Sequence, residues 1–133
     1  MATNEEIREG LADRLRTITD LRVHERPPGE IITDAAVVRR RSTVYDVSLD
    51  GLVDTGWGIT VFVAFSNTDA ATLALDEYVS PDGPRSVALA VNADPTLGGI
   101  VDYARVISAD GESVTAYAGV DYLTVEFVVE IGD

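Results

Sequence analysis

Residues 57–66 constrain the fold more than any other part of the chain. Trp57, Ile59, Val61, Val63 and Phe65 alternate with Gly58, Thr60, Phe62, Ala64 and Ser66. A period of two with one strongly apolar side specifies a β-strand that buries one face. Such a face needs strands beside it and a second layer over it. Residues 122–131 repeat the pattern. Leu123, Val125, Phe127, Val129 and Ile131 share one side, and Thr124, Glu126, Val128 and Glu130 the other.

The covering layer is readable as helices. Residues 4–19 carry Ile7, Leu11, Leu15 and Ile18 at helical spacing, so one apolar stripe faces the sheet. Thr3 and Glu6 match a capping box, in which each side chain satisfies a backbone amide at the open helix start. Gly10 is a weak point in this helix, costing up to about 1 kcal/mol against Ala. A second helix is predicted over 69–79, capped by Asn67 or Thr68 and stopped by Ser80, Pro81, Asp82 and Gly83. A third, short helix is predicted over 84–93, with Pro84 in its first turn and Asp94 and Pro95 beyond its end. Thr96, Leu97, Gly98 and Gly99 then read as a loop.

The remaining segments are β or irregular. Pro27, Pro28 and Gly29 make residues 22–30 an extended turn. A strand is predicted over 35–40. The polar stretch 41–56 reads as an irregular or edge strand followed by a loop. It is expected to be mobile in a lone subunit and ordered on contact with a partner. Residues 100–109 and 113–117 are expected to be two strands, turned at Asp110 and Gly111. With no internal repeat or composition break, residues 1–133 form one domain. The order of elements gives an α+β class: a mainly antiparallel β-sheet with an N-terminal helix and two central helices packed on one face.

Charge narrows the functional classes. The chain carries 23 acids against ten arginines, a formal −13, with no lysine and no cysteine. Residues 1–41 hold eight arginines and eight acids, so the whole excess lies beyond them. An acidic body repels free nucleic acid, whose binding depends on neutralising phosphates. Without cysteine there is no disulfide and no thiolate metal site. The N-terminal segment, with Glu5, Glu6 and Glu9, does not read as a signal peptide, and no apolar run approaches the roughly 20 residues of a membrane-spanning helix.

No set of residues converges on a reaction. His24 is the single histidine and has no nucleophile placed beside it by sequence. Gly56 and Gly58 precede a strand, the wrong context for a phosphate loop. Asp46, Asp50 and Asp54 stand four apart, but Val44, Val47, Leu49 and Gly51 argue for strand and turn there, and the spacing is not that of a calcium loop. Asp76, Glu77 and Asp82 read as a solvated surface or a contact with a basic partner. No enzymatic activity, metal or cofactor is therefore expected. Arg39, Arg40 and Arg41 form the one basic run. On a strand Arg39 and Arg41 point one way and Arg40 the other. Their partners are acids of the same fold or of a neighbouring copy, with the neighbouring copy favoured. Arg39, Arg40, Arg41, Asp46, Asp50 and Asp54 are thus the candidate subunit or partner contacts.

Several stretches together resemble a known family. These are the helix with Ile7, Leu11, Ala12, Arg14 and Leu15; Leu21, Arg22 and Val23 before the proline-rich link; the strand from Trp57; and Leu75, Asp76, Glu77 and Tyr78 before Ser80, Pro81, Asp82 and Gly83. A helix runs into Asp94 and Pro95, then Thr96, Leu97, Gly98, Gly99, Ile100 and Val101, of which Thr96 to Val101 are the most specific, and a strand with Val125, Glu126, Phe127, Val128 and Val129 closes the chain. Over nearly its whole length the sequence resembles the tail terminator (tail completion) proteins of long-tailed phages, those of actinobacterial hosts above all.

That resemblance implies a structural, non-catalytic protein. It would form a homo-oligomeric ring, commonly a hexamer, on the head-proximal end of the tail tube. The ring would stop addition of tube protein and offer the head-completion or neck protein a docking surface. DNA would cross its lumen without specific binding. The protein would belong to the virion at the tail–neck junction, assembled in the host cytoplasm without a membrane. The alternatives are another neck or connector component and an unrelated soluble ligand-binding domain or small enzyme. Channel-facing positions are expected to be acidic or neutral, with the arginine run at a subunit or partner contact.

Overall fold

The computed structural model describes residues 2–45 and 53–132, with the side chains of 42–45 and 53–55 left aside. The elements follow in the order α1 (Asn4–Leu15), β1 (Arg22–His24), β2 (Ala35–Tyr45), β3 (Val53–Ala64), α2 (Thr68–Val79), α3 (Val87–Asn92), β4 (Tyr103–Tyr117) and β5 (Val120–Gly132). They build an α+β domain on a five-stranded mixed sheet of order β1-β2-β3-β5-β4. Every neighbouring pair is antiparallel except β1 with β2.

The two alternating segments lie side by side at the centre. Trp57 pairs with Val129, Ile59 with Phe127, Val61 with Val125 and Val63 with Leu123. Their side chains form one buried face, joined by Ala36 and Val38 from β2 and Ala104 from β4. All three helices cover that face. Ile7, Leu11 and Leu15 come from α1, Ala71, Leu75 and Tyr78 from α2, and Val87 and Val91 from α3. The capping box on α1 is formed, with Thr3 Oγ1 accepting from the Glu6 amide and the Glu6 carboxylate accepting from the Thr3 amide. Asn67 caps α2, accepting from the amides of Asp69 and Ala70.

Gly10 is better explained by contact than by propensity. A Cβ there would stand 3.1 Å from Leu97 Cβ, so the missing side chain lets α1 close on the loop after α3. Leu97 itself is buried in the main core. The most specific part of the family-like stretch thus packs against the N-terminal helix.

Several boundaries differ from expectation. Helix α1 ends at Leu15, because the amides of Thr17 and Ile18 turn back to Arg14 and Leu15 in tighter steps; Ile18 stays buried outside the helix. The extended turn over 22–30 contains a short strand, β1, parallel to β2. Strand β2 runs on to Tyr45, and β3 starts at Val53 and stops at Ala64, so Phe65 leaves the buried face and is 36% exposed. Residues 42–45 are strand, as expected of the first half of the polar stretch, but 53–56, read as loop, are ladder too and pair with them. Helix α3 begins at Val87, not Pro84, because Ser86 Oγ accepts from the Leu89 amide and caps it there. Residues 103–117 are one strand. Asp110 and Gly111 form a bulge in it rather than a turn, with Gly111 at a φ of 70°.

A smaller cluster lies on the opposite face of the sheet. Phe62 meets the rings of Tyr117 and Tyr122 edge-on, at centroid distances of 5.6 and 5.8 Å, with Ile31, Ala35 and Val37 beside them. The proline-rich segment is tied over it. Tyr117 Oη donates to the Pro28 carbonyl, and Tyr122 Oη donates to that of Ile31 at 3.0 Å. The rest of this face carries no helix. Among the described residues no helix is long and apolar enough to cross a membrane.

Leu11 and Leu15 have no exposed surface. Replacing either by Ala should cost about 2–5 kcal/mol in chemical denaturation, the range for deleting a fully buried leucine. Losses under about 0.5 kcal/mol at both positions would show the stripe to be outside the core.

Candidate functional site

The arginine run sits on the bare face and at its margin. As expected, Arg39 and Arg41 share a side of β2: both reach Glu126 on β5, two strands away. Arg39 binds it through Nε at 3.0 Å and through a second guanidinium nitrogen, and Arg41 through Nε at 2.8 Å. Within the subunit their partner is an acid of the same fold, Glu126. The alternation of β5 puts Glu126 on the polar side, and the β2–β3–β5 register brings it within arginine reach. Gly58 makes the crossing possible. A Cβ there would stand 2.9 Å from the Arg41 side chain and 3.3 Å from a Glu126 oxygen. Arg40, opposite Trp57 in the ladder, is exposed, and its side chain has no hydrogen-bond or ion-pair partner among the described residues.

Glu126 was legible only as a polar position in an alternating strand. Its role depends on a contact across 85 and 87 residues of sequence. Of the other candidate contacts, Asp46 and Asp50 lie outside the described residues. Asp54 is placed by its backbone alone, opposite Val44 in the β2–β3 ladder.

Beside this ion cluster runs a groove of about 420 Å³ on the bare face, with Thr60, Thr115, Thr124, Tyr117 and Asp110 among its walls. Thr115 and Thr124 share a hydrogen bond of 2.8 Å across β4 and β5. Further along β4, Arg105 pairs with Glu130 of β5 at 3.3 Å. Arg39, Arg41 and Arg105 on this face therefore meet Glu126 and Glu130, with Asp110 opposite Glu126 in the ladder. The face is polar and close to charge-balanced.

A second polar network fixes α2 to the segment before β2. Tyr78 Oη donates to Asp34 at 2.7 Å, and Arg85 reaches the same carboxylate and the tyrosine oxygen, each at 3.3 Å. Burial, then the bond to the Asp34 carboxylate, pushes the Tyr78 hydroxyl far above the ordinary tyrosine range. Arg85 also stands 3.5 Å from Glu77, on the rim of a hollow of about 610 Å³ that Asp76, Glu77 and Asp82 make acidic.

Glu5, Glu9 and Glu25 bring carboxylate oxygens within 4.8 Å of one another, which no spacing in the sequence announced. Arginines already occupy the cluster: Arg26 and Arg8 bind Glu5, and Arg16 binds Glu25. The hydrogen bond from Arg26 leads in holding the Glu5 carboxyl below its usual value. His24 is half-buried in β1, and its Nε2 has no hydrogen-bond partner among the described residues. No family model matches this chain, and no curated protein matches it.

Two outcomes follow from the geometry. Glu126→Gln should lower stability by up to about 1 kcal/mol, the range of partly exposed ion pairs, and the loss should shrink in high salt. A full loss retained in 1 M salt would mean packing, not charge, holds the cluster. For Tyr78 the folded state favours the neutral hydroxyl. Its contribution is whole below the unfolded tyrosine value of 10.0 and falls as pH rises above it. Denaturation midpoints followed above pH 10 should therefore decline less steeply in Tyr78→Phe than in the parent chain. Equal slopes would show that Tyr78 ionises as freely folded as unfolded.

Proposed function

We propose that this chain is a structural ring component of the tail-terminator kind: copies join edge to edge, cap a tail tube and leave a lumen for DNA. The observation that carries the proposal is a sheet with two open edges and one helix-free face. Among the described residues strand β1 covers only Ala35, Ala36 and Val37 of β2, and from Val38 onward that strand has no outer neighbour. Strand β4 is the opposite edge, and Ile107 and Val114 on it are about half exposed. Unpaired strand edges are templates for another chain. Two different edges on one subunit give a head-to-tail contact, which closes into a ring when its rotation permits.

Other features support the same proposal. The helices cover one face of the sheet, so a ring built by joining edges has a helical wall and a bare wall. The bare wall suits a DNA channel if it grips no phosphate. Its arginines are bound by Glu126 and Glu130, which leaves little free positive charge for a backbone carrying one charge per about 1.7 Å of axis. This departs from the expectation that channel-facing positions are acidic or neutral: two of the three arginines in the run are on this wall, where they share the Glu126 carboxylate. The excess acids elsewhere keep such an assembly soluble and unattractive to loose nucleic acid. The resemblance of residues 94–101 and their neighbours to tail terminators supplies the biological setting.

The test is growth of tail tubes in the presence of the purified chain. Tube protein from a phage encoding the chain should polymerise without limit alone. With the chain added, electron micrographs should show shorter tubes, each bearing a ring at one end. Tubes of unchanged length, together with a monomer that takes up a small molecule tightly, would favour the ligand-binding alternative.

A further inference from the structure

The two open edges differ in charge. Arg39, Arg40 and Arg41 lie on the uncovered part of β2, while Asp110 and Glu112 lie on β4 at the far side of the sheet. The first stretch of β4 is already occupied on its outer side, since the Ala104 amide donates to the Pro95 carbonyl and the Val106 amide to Asn92 Oδ1. The stretch from Ile107 to Tyr117 is left open among the described residues. We infer that the uncovered edge of β2 in one copy pairs antiparallel with residues 107–113 of β4 in a second copy, with Arg41 opposite Asp110. The inference rests on the assembly part of the proposal above and names its contact surfaces.

Strand direction permits this pairing. Within a copy β2 and β5 run one way and β3 and β4 the other. Laid side by side in the same orientation, β2 of one copy meets β4 of the next as an antiparallel neighbour. Side-chain direction permits it too. Arg41 reaches Glu126, and Asp110 is opposite Glu126 in the ladder, so both stand on the bare face. Each guanidinium keeps donors beyond those given to Glu126, so a second carboxylate can be accepted. Bulges interrupt β2 between Arg40 and Ser42, and β4 at Ile107 and again near Gly111. Such irregularities weaken unguided edge pairing and leave selection of the partner to charge.

The register also sets a geometry. Within one copy Arg40, Trp57, Val129 and Val106 lie on one row across the sheet. Placing Arg41 opposite Asp110 shifts the next copy by about four residues, roughly 13 Å, for each four-strand width of roughly 19 Å. The resulting tilt of about 35° is the one at which strands run in closed barrels.

The absence of cysteine makes the test direct. In the full chain, Arg41→Cys and Asp110→Cys are introduced together and oxidised mildly. Within one copy these positions are about three strand spacings, roughly 14 Å, apart, too far for a disulfide. A ladder of linked dimers and higher species is expected, and the pair Arg105→Cys with Arg40→Cys should give none. Asp110→Arg, shown by circular dichroism to be folded, should raise the concentration needed for assembly at least tenfold in sedimentation. An oligomer that persists in the reversed variant and gives no ladder would place the contact on another surface. A monomer at every concentration would overturn the pairing. Linked rings that fail to cap tubes would leave the pairing standing and remove the tail reading; capped tubes without a ladder would do the reverse.

Discussion

The register between β3 and β5 is the constraint on which the rest of the structure depends. Ile59 against Phe127 and Val61 against Val125 put eight apolar side chains of the two strands on one side of the sheet. Because side chains alternate, a slip of β5 by one residue would turn its four apolar side chains to solvent and bring Thr124 and Glu126 inward. The slip would also carry Glu126 away from Arg39 and Arg41. The same pairing that builds the core therefore positions the charged cluster on the other side, and Gly58 keeps the space between them clear.

The placement of the helices follows from that register. A sheet with one apolar face needs one covering layer, and α1, α2 and α3 supply it. The opposite face is sealed only around Phe62, where two tyrosines and the proline-rich segment close over it. What remains open is polar, flanked by two uncovered strand edges of unlike charge. Among the described residues β2 beyond Val37 and β4 beyond Val106 have no strand on their outer sides, and an unpaired strand edge is a template for another chain.

Much of this was legible in the residues. The alternation at Trp57–Val63 and at Leu123–Val129 is strict, and the stripe of Ile7, Leu11 and Leu15 is helical without ambiguity. The α+β class followed from those elements. Strand β1 was not legible, because three residues carry too little periodicity and its partner is a parallel neighbour. Asp110 and Gly111 have the composition of a tight turn, and only the continued pairing of Ser113–Tyr117 with β5 reveals a bulge. For the candidate site, the opposed directions of Arg39 and Arg40 could be read from strand geometry. Their partner could not: Glu126 is chosen by the order of strands, which no local pattern encodes. The Tyr78, Asp34 and Arg85 network is hidden for the same reason.

Backbone amide exchange tests edge-to-edge assembly most directly, because pairing protects main-chain amides whatever the side chains do. The measurement compares the dilute chain with the same chain concentrated or assembled on tubes. Protection should rise at residues 38–41 and 107–113, while central amides of β3 and β5 change little. Protection that rises only on the outer faces of α1 and α2, or nowhere at concentrations where the mass increases, would contradict assembly through the sheet edges.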